Sequence, residues 1–130
     1  MIEEGRPLFV QIAESIEDSI VDGSLAEGAK APSTNELSAF YRINPATAAK
    51  GINLLVDKQV LIKQRGVGMF VTDGARARLL TERREAFTKD YLDPLLAEAT
   101  RLQLTPAELI AALQERMTDN AAPHTEGTLG

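Results

Sequence analysis

Residues 31–71 read APSTNELSAFYRINPATAAKGINLLVDKQVLIKQRGVGMFV, and this stretch decides the fold. It opens with Pro32-Ser33 and, three residues on, Glu36, an S-x-x-E capping box. The Ser33 hydroxyl is placed to accept from the backbone N–H of Glu36, and the Glu36 carboxylate to reach back to the N–H of Ser33. Pro32 blocks backward extension, because the residue ahead of a proline is pushed out of the helical region. Leu37 and Phe40 supply a short apolar edge. After a turn at 41–43, Asn44 is a second N-cap, and Pro45 takes the first helical position, where its missing N–H costs nothing. The spacing predicts a helix over about 45–58, with Ala48, Ile52 and Leu55 as its buried edge and Ala46, Thr47, Lys50 and Asn53 on the other side. Val60-Leu61-Ile62 and Met69-Phe70-Val71 are β-prone runs. They flank Lys63-Gln64-Arg65-Gly66-Val67-Gly68, whose two glycines permit the positive φ angles of a tight turn.

Two short helices followed by a hairpin describe a winged helix-turn-helix, an architecture whose main known use is to lay the second helix into the major groove of DNA. The free side of that helix suits the role: small and hydroxylic residues approach base edges closely, and Lys50 can meet phosphate. Lys63 and Arg65 put positive charge at the hairpin tip, and Gly66 and Gly68 let backbone come close to a phosphate or the minor groove. Each feature also has a plain structural use. Ser33 and Glu36 cap a helix in any case, Lys58 and Lys63 keep strand edges soluble, and Gly66 and Gly68 serve a hairpin turn.

The net charge of −5 is unevenly spread. Residues 1–41 carry 2 basic and 8 acidic side chains, or −6; residues 42–72 carry 5 basic (Arg42, Lys50, Lys58, Lys63, Arg65) and one acidic (Asp57), or +4. A binding face requires local rather than global positive potential.

Working outward, Leu8, Ile12, Ile16 and Ile20 fall four apart, with Phe9 and Ala13 beside them, so a helix is expected over about 7–21 with one apolar stripe and no basic face. Residues 24–31 read as a loop. Asp73-Gly74 marks a boundary, and 75–102 has a helical stripe that includes Leu80, Phe87, Tyr91, Leu95 and Ala99. Pro94 should kink this helix, or break it with Asp93 capping the restart. Thr105-Pro106-Ala107-Glu108 is a further capping box, opening a helix to about residue 117 with Leu109, Ile110 and Leu113 apolar. The expected organisation is a winged helix-turn-helix domain at 1–74, a helical segment at 75–118 and a polar, disordered tail at 119–130. The helical segment is too short to bury its own stripes, so a symmetric dimer is expected, seated on Leu80, Phe87, Tyr91, Leu95, Leu109 and Leu113. Phe87 and Tyr91 have the alternative of lining a small-molecule pocket, with packing the favoured role.

Composition narrows the function classes. The chain has 130 residues, 44% of them apolar, and no cysteine, so disulfides and thiolate metal sites are out. No run approaches the apolar length of a membrane span, and the acidic N-terminus lacks a signal-peptide layout, so a cytoplasmic location is expected. The one histidine, His124, lies in the expected tail, and no nucleophile–base pair or metal-ligand spacing is present. Gly66-Val67-Gly68 joins two strands and has no helix after it to receive a pyrophosphate. An enzyme is therefore not expected, and no cofactor or metal is called for. A winged-helix protein–protein adaptor without DNA binding is the remaining competitor, since the fold does not itself impose DNA binding.

The chain resembles GntR-family transcriptional regulators, in particular the short YtrA-type subfamily. The likeness rests on Pro7-Leu8-Phe9-Val10-Gln11-Ile12, the loop from Asp22-Gly23-Ser24-Leu25 to Gly28, Pro32-Ser33 with Glu36-Leu37, Ile43-Asn44-Pro45-Ala46-Thr47, and Arg65-Gly66-Val67-Gly68-Met69-Phe70-Val71. Leu92-Asp93-Pro94-Leu95-Leu96 and Leu104-Thr105-Pro106-Ala107-Glu108-Leu109 resemble the subfamily's small dimerisation segment. The resemblance implies a bacterial DNA-binding homodimer that usually represses its targets, often transporter operons. It places DNA contacts at Asn35, Asn44, Ala46, Thr47, Lys50, Arg65 and Gly66; Ser33, Lys63 and Gly68 complete the candidate set. Many members carry Arg where this chain has Asn35, and another near Ala49, so readout is expected to lean on Asn, Thr and Lys. The family's frequent Leu before Pro-Ser is Ala31 here, and its usual Thr before Phe-Val is Met69. A small-molecule effector is left open.

Overall fold

The computed structural model describes residues 5–129, with side chains through residue 120. Contacts divide the chain into two units, 1–83 and 84–130.

In the first unit, Leu8–Val21 forms α1, with Pro7 at its N-cap. Ile12, Ala13, Ile16 and Ile20 are buried as the stripe requires, while Leu8 is partly buried against the same core. Thr34–Tyr41 forms α2, and its capping box is complete: Glu36 N–H donates to Ser33 Oγ at 3.0 Å and Ser33 N–H to Glu36 Oε1 at 2.8 Å. Of the apolar edge expected on α2, only Leu37 is in the core. Phe40 is 78% exposed, corrected by the shortness of the helix, whose one buried edge is used up by Leu37. Arg42, in the left-handed region at φ 57°, reverses the chain. Pro45–Asp57 forms α3, capped by Asn44, whose side-chain oxygen accepts from Ala46 N–H at 2.8 Å. Ala48, Gly51, Ile52 and Leu55 are buried. Gly51 marks a close crossing of α1 and α3: a Cβ there would lie 2.9 Å from the Phe9 carbonyl oxygen and 3.3 Å from Ile12 Cγ2.

The hairpin pairs β1, Leu61–Gln64, antiparallel with β2, Gly68–Val71, in the register Leu61–Val71 to Gln64–Gly68. Val67 N–H closes the three-residue turn onto the Gln64 carbonyl at 2.9 Å, with Gly66 at φ 78°. The stretch 24–31 is a loop, as read, and its end is tied to β2 by an isolated bridge. Gly28 N–H and Ala31 N–H donate to the carbonyls of Val71 and Met69, Val71 N–H donates to Ala29, and Lys30 stands opposite Phe70.

The helix α4, Ala75–Phe87, begins one residue after Gly74, but its first two turns belong to the first unit. Ala75 and Leu79 are buried in the same core as α1 and α3. The expected boundary at Gly74 thus falls inside the folded unit. A row of polar contacts reinforces this docking. Glu27 accepts from Arg76 N–H, Arg76 Nε donates to the Val21 carbonyl at 2.9 Å, and Arg78 donates to the Gln59 carbonyl and to Thr72 Oγ1. Arg83 pairs with Asp18 at 2.6 Å. Backbone N–H groups at Gly74 and Arg76 hold the Glu27 carboxyl below its usual range.

In the second unit a π-helical turn, Thr88–Leu92, leads into α5, Asp93–Arg101. Asp93 N–H reaches back five residues to the Thr88 carbonyl, so the backbone widens just ahead of Pro94 and absorbs its missing donor. Asp93 is the first residue of α5 with helical φ and ψ, and not the cap expected of it. Gln103, at φ 61°, turns the chain, and α6, Pro106–Leu129, starts from the expected box: Glu108 N–H to Thr105 Oγ1 at 3.1 Å and Thr105 N–H to Glu108 Oε1 at 2.8 Å. The helix runs past residue 117, where the apolar pattern ends. The side chains of 121–130, most of the segment expected to form the tail and including His124, lie outside the described residues.

Candidate nucleic-acid interface

α3 packs on α1, α2 and β1, which leaves one long side of the helix free. Ala46, Lys50 and Asn53 are exposed there and Thr47 is half-buried. Lys50 is not a loose cation: its Nζ lies 4.3 Å from the centroid of the Phe9 ring. The close crossing at Gly51 brings that ring within reach, and the attraction is worth about 0.5–1 kcal/mol at an exposed site. Phe9 therefore restricts where the charge of the helix is presented.

At the start of α2, Asn35 and Ser33 are exposed, although the Ser33 hydroxyl is committed to the cap. That cap is charged: Ser33 backbone N–H, and then its hydroxyl, hold the Glu36 carboxyl below the usual glutamate range. Asn44 is exposed but its side-chain oxygen is likewise engaged at the start of α3. β1, packed against α3, carries the chain to the hairpin tip, where Lys63, Arg65 and Gly66 are exposed. Among the described residues no ion pair holds Lys63 or Arg65. Gly68 is half-buried, at φ 144°, because the side chain of Lys30 lies across it.

One cation of the basic stretch faces elsewhere. Lys58 Nζ binds Glu17 Oε2 at 2.6 Å and Glu82 Oε1 at 3.0 Å. Burial works against its charge, but the hydrogen bonds it donates to Glu17 and then Glu82 outweigh it and raise the lysine pKa. Lys58 is thus a structural tie between α1, α3 and α4, and neither a free cation of the basic stretch nor a residue that only keeps an edge soluble. The stretch presents Arg42, Lys50, Lys63 and Arg65 outward, with Asp57 also exposed. Glu17 is 41 residues from Lys58 along the chain, so no local spacing foretells the pair.

A capped second helix with a small and basic free side, packed on a hairpin with a cationic tip, defines the winged helix-turn-helix of a DNA-binding transcription regulator. The chain belongs to the GntR family: residues 8–71 match the model described as bacterial regulatory proteins, gntR family. Across 112 residues it is 24% identical to the uncharacterized HTH-type transcriptional regulator YhcF of Bacillus subtilis, covering 86% of this chain and 91% of that protein. It is 27% identical over 93 residues to the HTH-type transcriptional repressor YtrA of the same organism, covering 72% of this chain and 71% of YtrA. The fold is shared with a GntR family transcriptional regulator from Listeria monocytogenes, with a TM-score of 0.74 at 22% identity, over 88% of this chain and 98% of that one. The family is one of transcription regulators and not of enzymes. Among the described residues no helix is long and apolar enough to cross a membrane.

Proposed function

We propose that the chain acts in the cytoplasm as a homodimeric repressor on a palindromic operator, with α3 in the major groove and the hairpin tip on the backbone or minor groove. The observation that carries this reading is the pairing of the free side of α3 with the unbridged cations Lys63 and Arg65 at the tip. On an acidic molecule, that local positive potential is where a polyanion is held. The contacts are assigned to Ser33, Asn35, Asn44, Ala46, Thr47, Lys50, Lys63, Arg65, Gly66 and Gly68. With Ser33 and Asn44 engaged in caps, base readout falls mainly to Asn35, Thr47 and Lys50. The similarity to the repressor YtrA supports the sign of regulation. The dimer is assigned to Leu80, Phe87, Tyr91, Leu95, Leu109 and Leu113. Phe87 and Tyr91 are 55% and 69% exposed in the single chain, an apolar surface that association would remove from water.

The test is a mobility shift on the DNA upstream of the protein's own gene, at two salt concentrations. Binding that falls steeply with salt is expected. Arg65→Ala should weaken it by about 1–3 kcal/mol if the guanidinium reads a base, and by less if it meets phosphate. No binding at any salt would sink the proposal and leave the adaptor reading.

A further inference from the structure

Lys30 lies outside the helix-turn-helix, in the stretch that the sequence presents as a loop, yet the structure ties it to the hairpin. Its backbone stands opposite Phe70 on β2. On one face of an antiparallel pair, a residue also meets the diagonal neighbour two positions along the partner strand, here Gly68. The Lys30 stem does cross that position: its Cε would be 2.8 Å, and its Nζ 3.7 Å, from a Cβ on residue 68. A side chain at residue 68 would push the flexible end of this stem aside, and the φ of 144° there separately favours glycine. Lys30 is exposed, and its charge is one of the lesser influences that keep the Glu36 carboxyl ionised, behind the Ser33 hydrogen bonds. The ammonium therefore sits between the start of α2 and the base of the hairpin. The Glu36 carboxylate nearby is already engaged by Ser33 N–H.

We infer that Lys30 is a phosphate-binding residue of the DNA interface, laid across Gly68 so that its charge joins that of Lys63 and Arg65. The inference rests on the DNA-binding reading above and extends the interface to a third chain segment. The stem lies over Gly68, where no side chain stands in its way. A flexible lysine held by its stem loses less freedom on meeting a phosphate than one waving in solvent.

The test compares wild type, Lys30→Met and Lys30→Arg in anisotropy titrations of the upstream DNA across a salt series, with thermal denaturation of each. Methionine keeps an apolar stem over Gly68 and removes the charge. Lys30→Met should bind more weakly to specific and unrelated DNA alike, with the slope of log affinity against log salt reduced by about one per protomer. Lys30→Arg should restore the slope, and the melting temperatures should stay together. A lysine that only guards a sheet edge would leave affinity and slope unchanged in Lys30→Met, and that result, beside a salt-dependent wild type and a weakened Arg65→Ala, overturns this inference alone. A wild type that does not bind DNA overturns the regulator reading and this inference with it.

Discussion

Lys58→Met isolates the tie between α1, α3 and α4. Methionine keeps most of the stem and deletes the charge, stranding the carboxylate of Glu17, whose side chain is 6% exposed. Removing one member of a buried ion pair costs about 3–5 kcal/mol. Lys58 is itself 30% exposed, so water reaches the pair and the expected cost comes down to roughly 2–3 kcal/mol. With a urea m-value of ~1–3 kcal/mol/M, the midpoint should fall by about 1–2 M at pH 7. Protomer concentration must be held fixed, because association adds to apparent stability. The double variant Glu17→Met/Lys58→Met should recover most of the loss, since no charge is left buried. In the wild type the contribution of the tie depends on pH through the lysine. The raised lysine pKa makes it full below the unfolded value of ~10.4 and lost as pH climbs through the folded one. A Lys58→Met midpoint within about 0.3 M of wild type at pH 7 would refute this account of the tie.

Gly51→Ala should lower stability by about 1–3 kcal/mol even though alanine is the better helix former, because the new methyl meets the Phe9 carbonyl; a raised melting temperature would contradict the close crossing. Glu36→Gln should flatten acid unfolding: the depressed folded pKa means the native cap adds stability above ~4.3 that is lost as pH falls through the folded value, and unaltered acid curves would count against it. Truncation after Arg83 should give a folded monomer with weak half-site binding, whereas truncation after Gly74 removes the buried Ala75 and Leu79 and should cost at least ~2 kcal/mol more. A dimer from the longer fragment in sedimentation would show that the helices beyond it are not the seam.

What could be read from the sequence was local. Ser33 with Glu36, Asn44 with Pro45, and Thr105 with Glu108 are side-chain-to-backbone devices complete within four residues, and each helix start stands where its device lies. The stripe of α1 and the buried edge of α3 follow from helical spacing alone. Helix ends were less legible, because Arg42, Gln59 and Gln103 adopt positive φ where glycine is the usual signal. Features that depend on distant partners were not visible. Lys58 finds Glu17 across 41 residues, the bridge from 28–31 needs β2, and the docking of α4 needs the carbonyls of Val21 and Gln59. Pro94 announced a disturbance, but the choice between a kink, a break and a widened turn depends on which backbone groups can repair the lost donor. For the candidate interface, the free side of α3 and the cationic tip could be read from the sequence; that Lys50 lies over Phe9 or Lys30 over Gly68 could not, since both need the assembled core.

The arginines along the first turns of α4 have a mechanical meaning. Arg76 and Arg83 both grip α1, at Val21 and Asp18, and Arg78 grips Gln59 and Thr72 beside the hairpin, with Ala75 and Leu79 buried in the core. Within the first unit the start of α4 is thereby part of the same body as α3 and the hairpin, so loosening one of these grips would loosen the seat of all three elements.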